Sequence, residues 1–191
     1  MRVPLIELDL RMPMDGLNFD RILFLDIDGV LHPDGPGDYA DFSCLPRFCD
    51  VLRAADPIGA VPIVMSSAWR HTQRLDDIKG NFPKDIGLRI VGVTPDLLET
   101  QAPWVVSGGR DDGVPVSTHK RQTEIMAWIG RNAPGRRWLA LDDRATGFEA
   151  RCRHLFLVPG TTKDGGGPGI TATVAIDFRK RLDEFLRPGE G

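Results

Sequence analysis

Cysteine is scarce in this chain: 191 residues carry three, Cys44, Cys49 and Cys152. The odd count and the lack of a CxxC pair argue against a disulfide framework and against a zinc site, and make a reducing cytoplasm the expected setting. Long hydrophobic runs are missing too. No segment is apolar for long enough to cross a bilayer, and no basic stretch leads into an apolar one at the start, so neither a membrane partner nor a signal peptide is expected. Charge of one sign is also lacking. The 24 basic and 27 acidic side chains give a formal net charge of -3, which carries no global signal for nucleic acid. A local basic groove remains compatible with that sum. Aromatic residues make up 7% of the chain, and the spacing of Trp69, Trp104, Trp128 and Trp138 suits core or rim positions better than base-stacking platforms.

What is present is an ordinary soluble composition, 41% hydrophobic and 27% charged, at a length that suits one domain with a full core. There is no internal repeat and no convincing linker. Residues 1–191 therefore read as a single domain, with 1–19 as an N-terminal extension in which residues 5–10 can add an edge strand.

Short apolar strands are predicted at residues 22–26, 61–65, 88–93, 138–141 and 155–158. Helices are predicted between them: one capped by Ser43 and running through Ala55, one after Arg70 to about Gly80, one capped by Ser117 or Thr118 and running to about Asn132, and one from Thr171 to Leu186. A helical turn falls near Phe148. Strands alternating with helices imply right-handed crossovers and a parallel sheet.

The strongest feature is the segment Ile22-Leu23-Phe24-Leu25-Asp26-Ile27-Asp28-Gly29. A continuous apolar run, as in a strand buried on both faces, stops at two carboxylates and a glycine. Neither acid can stay charged in a dry core without a partner, so chain order puts them at the carboxyl edge of the sheet, where open α/β folds bind ligands. The second strand runs into Ser66-Ser67-Ala68-Trp69-Arg70 and the fourth into Asp142-Asp143. In a parallel sheet all of these ends share one edge, and Lys120, near the start of a helix, can reach it. Carboxylates, hydroxyls and an ammonium suit a phosphorylated ligand with Mg²⁺, which takes oxygen ligands.

Taken in order over residues 22–143, these motifs resemble the haloacid dehalogenase (HAD) superfamily: an apolar strand ending in DxD, a strand ending in Ser or Thr, a Lys or Arg, then a strand ending in paired acids. The Ser-Ser-x-Trp-Arg form, with His-Lys-Arg before a helix carrying a Trp, looks most like a HAD-like subgroup associated with bacterial RNA-repair and nucleic-acid-processing proteins. The resemblance implies a three-layer Rossmann-like α/β sandwich with a mainly parallel five-stranded sheet. It also implies roles. Asp26 is the nucleophile that forms an aspartyl-phosphate, and Asp28 the general acid and then base, with its backbone carbonyl on Mg²⁺. Asp142 is the main metal ligand of the fourth strand, with Asp143 assisting directly or through water. Lys120 neutralises the nucleophile and the transferring group. The phosphate-binding hydroxyl is Ser66 by the end of the apolar run, or Ser67 by alignment on the Trp. Gly29 allows the phosphate close to the backbone, and Arg70 either binds phosphate or pairs with an acid.

The expected activity is that of a Mg²⁺-dependent phosphatase. A carbon–halogen cleaver needs no acid for its halide, and Asp28 sits where phosphotransferases keep one. Transfer to another acceptor and a non-catalytic binding role are the alternatives. The stretch between Asp28 and the second strand, taken up by one loop and one helix, and the short stretch from Thr94 to Thr118 leave room for a minimal cap or none, so an open site can accept a small phosphorylated molecule or a bulky end such as a nucleic-acid phosphate. His32 either touches substrate or packs the loop. The Gly165-Gly166-Gly167-Pro168-Gly169 string lacks the Lys-Ser/Thr of a P-loop and reads as a flexible loop that borders the site.

Overall fold

Five consecutive residues, Arg21–Leu25, form the central strand β1, and four of them are completely buried. A computed structural model of the chain describes residues 19–35, 37, 39–97, 119–160 and 165–187. The other strands are β2 (Ile63–Met65), β3 (Ile90–Val93), β4 (Arg137–Asp142) and β5 (Leu155–Leu157). They form one five-stranded sheet in the order β3-β2-β1-β4-β5, parallel throughout. Side chains alternate across β1, so the sheet is apolar on both faces. Leu23 and Leu25 face helices α1 (Leu45–Ala55) and α5 (Ala172–Leu186), together with the short helices α2 (Leu75–Gly80) and α3 (Lys84–Gly87). Ile22 and Phe24 face α4 (Lys120–Asn132), where Trp128 meets Phe24 edge-on with ring centroids 5.7 Å apart. The result is the expected three-layer Rossmann-like sandwich.

Several boundaries differ from the sequence-based expectation, each for a local reason. Strand β2 starts at Ile63, because Pro62 has no N–H and the Val61 amide is held by Asp56 Oδ2 at 2.9 Å. Strand β3 starts at Ile90, because the amides of Leu88 and Arg89 close turns onto Lys84 and Ile86. The helix expected after Arg70 is a 3₁₀ turn, Ala68–His71, followed by α2. Helix α1 has Cys44 rather than Ser43 at its N-cap, with no side-chain capping bond and a Pro in its first turn, where a missing N–H costs little. Thr171 does cap α5, its hydroxyl accepting from the Val174 amide at 3.3 Å.

All three cysteines are free, and burial pushes the Cys49 thiol up to about 11. Among the described residues, no helix is long and apolar enough to cross a membrane. The edge strand at 5–10, Trp104 and the caps at Ser117 or Thr118 lie outside the described residues, as does most of the stretch 94–117. The described residues between β1 and α1 contain no helix and no extended strand.

Candidate active site

Register is what builds the site. Leu25 pairs with Met65 on one side and with Leu141 on the other, so Asp26, Ser66 and Asp142 come level at the carboxyl edge. Two backbone bonds lock this alignment: the Ser66 amide donates to the Leu25 carbonyl at 2.7 Å, and the Asp26 amide to the Leu141 carbonyl at 3.0 Å. Residues 40 to 116 apart in sequence are thereby neighbours in space.

Asp26, Asp142 and Asp143 are 3%, 2% and 1% exposed. Each can offer an oxygen such that all three atoms lie within 4.8 Å of one another. Asp26 Oδ1 accepts from the Ile27 amide at 2.8 Å, and Asp142 Oδ1 from the Arg144 amide at 2.8 Å. Asp143 Oδ2 accepts from the Gly166 amide at 3.1 Å. A Cβ on Gly29 or Gly165 would stand 2.0 or 2.5 Å from that same oxygen, so both positions require glycine. The close approach that Gly29 permits is thus by the Asp143 carboxylate. Asp143 Oδ1 is buried and makes no hydrogen bond among the described residues.

Burial raises the Asp26 carboxyl above its usual range; Arg121, the Ile27 amide and the Ser67 hydroxyl pull against it. Asp142 is pushed up to about 8 by burial and then by Asp26, and Asp143 to about 6 by the same two causes. A group of hard oxygen donors that repel one another, one of them a buried oxygen with no hydrogen bond among the described residues and Arg144 Nε 3.8 Å away, fits a divalent cation of the Mg²⁺ type.

The structure corrects the cation expected from the sequence. Lys120 Nζ lies 3.4 Å from Asp96 Oδ1 and 3.6 Å from Glu124 Oε1, and pairs with none of the three clustered acids. Its neighbour Arg121 takes the central place. Its guanidinium is 3.7 Å from Asp26 Oδ2 and 3.5 Å from Asp142 Oδ2, and it donates to the Ser66 carbonyl. One residue is about 100° of helix rotation, enough to move a side chain off the sheet edge. Gly147 makes room for it, since a Cβ there would lie 2.8 Å from that of Arg121. Burial opposes the charge on Arg121, but Asp26 and Asp142 outweigh it and raise the guanidinium above its ordinary value.

Arg70 is also turned inward. It pairs with Glu124 Oε2 at 2.8 Å and donates to the Ser67 carbonyl at 2.6 Å, with its side chain 6% exposed. Of the two readings left open by the sequence, pairing with an acid is the one this geometry shows. The two arginines thus grip consecutive carbonyls of the Ser66-Ser67 turn. Ser67 is fully buried; its hydroxyl bonds toward Asp26 and accepts from the Trp69 amide at 3.3 Å. The Ser66 hydroxyl is buried without a hydrogen-bond partner among the described residues.

Asp28 stands outside the three-acid group, its carboxylate turned to Trp69 and His32. Trp69 Nε1 donates to Asp28 Oδ1 at 2.8 Å, and His32 Nε2 lies 3.0 Å from the same oxygen. Sequence reasoning missed Arg121 although Lys and Arg are adjacent there, missed Glu124, and treated Trp69 as a packing residue. It noted the glycine string but not that Gly165 and Gly166 embrace Asp143.

A family profile described as "HAD domain in Swiss Army Knife RNA repair proteins" matches residues 22–163. Comparison with curated proteins and with solved structures gave no match.

Proposed function

The chain belongs to the family of HAD domains in Swiss Army Knife RNA repair proteins, and from that premise we propose that it is a phosphoric monoester hydrolase acting through an aspartyl-phosphate on Asp26. The observation that carries the reading is the pairing of a buried nucleophile-type carboxylate, flanked by Arg121, with a second acid, Asp28, two residues on and outside the metal-type cluster. A binding module has no use for that second acid.

Asp26, Asp142 and Asp143 would hold Mg²⁺, with the Asp28 carbonyl; when bound, the ion supplies positive charge that offsets repulsion between the carboxylate and an incoming phosphoryl group. Arg121 contributes fixed charge at the same place. The Ser67 hydroxyl and the turn that follows orient the phosphate and Asp26, which is catalysis by positioning and electrostatics. Asp28 gives a proton to the departing oxygen and takes one from the attacking water. The family description supports a phosphorylated RNA end as the substrate class.

The test is hydrolysis of p-nitrophenyl phosphate with Mg²⁺ and with chelator, for the wild-type chain and Asp26→Asn. Turnover that needs the metal and falls by at least about 10³-fold in Asp26→Asn is expected. Turnover that survives in Asp26→Asn, or none by the wild type on aryl and oligonucleotide 3′- and 5′-phosphates, removes the reading.

A further inference from the structure

The oxygen of Asp28 that faces Trp69 also faces His32, and the environment of His32 decides what that ring can do. The Phe42 amide donates to His32 Nδ1 at 3.3 Å. Nδ1 is therefore the acceptor of the ring, which leaves the hydrogen on Nε2, pointing at Asp28 Oδ1. Phe42 provides that amide from an unusual backbone position, φ 59°, which a side chain bearing a Cβ rarely adopts. Three rings hold it there: Trp69, Phe82 and His32, with centroids 5.2, 5.9 and 6.0 Å away. Trp69 is fixed in turn by its backbone N–H, which donates to the Ser67 hydroxyl at 3.3 Å. Strained backbone supported in this way beside a reactive group points to a function rather than to packing alone.

We propose that His32 and Trp69 are positioning residues that dictate which oxygen of Asp28 exchanges the proton. Both place an N–H on Oδ1, so Oδ1 is kept as the acceptor and Oδ2 carries the transferable hydrogen. This rests on the hydrolase reading and deepens it. In the first step an Asp26 oxygen bonds to phosphorus, the ester P–O bond breaks, and the hydrogen on Asp28 Oδ2 passes to the departing alkoxide or phenoxide. In the second, water bonds to phosphorus, its proton returns to Asp28 Oδ2, and the Asp26–phosphorus bond breaks to release phosphate. Phe42 acts one step further out by setting the hydrogen on His32.

The experiment is the dependence of kcat/KM on the leaving group, across p-nitrophenyl, p-chlorophenyl and phenyl phosphate, for the wild type, Trp69→Phe, His32→Leu and His32→Gln. A poor leaving group needs the proton and a good one does not. Trp69→Phe and His32→Leu are expected to lose about tenfold more on phenyl than on p-nitrophenyl phosphate. His32→Gln, which keeps an N–H donor, is expected to restore most of the difference. The ratio between substrates is the same for any folded fraction, so a variant that folds poorly still reports. A ratio unchanged in both Trp69→Phe and His32→Leu would overturn the assignment while leaving the hydrolase reading intact. No turnover by the wild type on any ester would end both.

Discussion

The two edges of the sheet bury charge in opposite ways. At the amino edge, Asp56 and Arg89 are 7% and 9% exposed and meet at 2.6 Å. Asp56 also accepts from the amides of Ala60 and Val61, and Arg89 donates to the Val61 carbonyl, so each charge is matched and hydrogen-bonded. At the carboxyl edge, three buried acids cluster; Asp26 and Asp142 share Arg121, Asp143 has only the half-exposed Arg144 at 3.8 Å among the described residues, and Asp142 and Asp143 sit above the usual carboxylate range. A balanced buried pair orders a structure. An unbalanced group is held against its own repulsion by the rest of the fold, and such groups gather where chemistry is done. A cleft of about 440 Å³ opens at the amino edge, lined by Arg53, Asp56, Asp85 and Arg89 among others, and none of its walls is an acid of the carboxyl edge.

The contrast is sharpened first at the amino edge. Asp56→Ala leaves Arg89 buried without its carboxylate, and the expected loss is about 3 kcal/mol of stability in urea unfolding, with kcat/KM of the folded protein unchanged. A loss of activity out of proportion to folding would mean that this edge serves the chemistry as well. At the carboxyl edge, Arg121→Ala is expected to lower kcat/KM on phenyl phosphate by about 10²-fold. Lys120→Ala, whose ammonium is half exposed and faces Asp96, is expected to stay within about twofold. The reverse ranking would restore Lys120 to the role that its place in the motif order suggests.

Much of this was legible in the sequence, and the reasons are physical. Ile22 to Leu25 is a run that only a doubly covered strand can bury, so Asp26 could be assigned to a sheet edge without any structure. Ser66 and Asp142 followed from the same logic, and parallel pairing did the rest. Arg121 was not legible, because choosing between adjacent cations requires the phase of α4, and that depends on where the helix begins. His119 occupies its N-cap and makes no side-chain capping bond, so its side chain does not mark the start. The inward turn of Arg70 was equally hidden: its partner Glu124 is 54 residues away on the opposite layer, and nothing local announces the pair. The same holds for Trp69, whose indole N–H is spent on Asp28, 41 residues earlier in the chain.

The claim that the carboxyl edge binds a cation is tested most directly by the melting temperature of the wild-type chain as a function of pH, in chelator and in Mg²⁺. Folding raises Asp142 to about 8 and Asp143 to about 6, from 3.8. The folded protein therefore binds their protons more tightly than the unfolded chain does. Stability from these groups is full below about 3.8, falls as pH rises from there, and is still being lost as pH rises from about 6 to about 8. In chelator the melting temperature is expected to fall by roughly 5 °C over that rise, and Mg²⁺ is expected to abolish most of the fall, because it binds the ionised acids of the folded state alone. A profile that is flat in chelator, or a fall that Mg²⁺ leaves unchanged, would contradict the account.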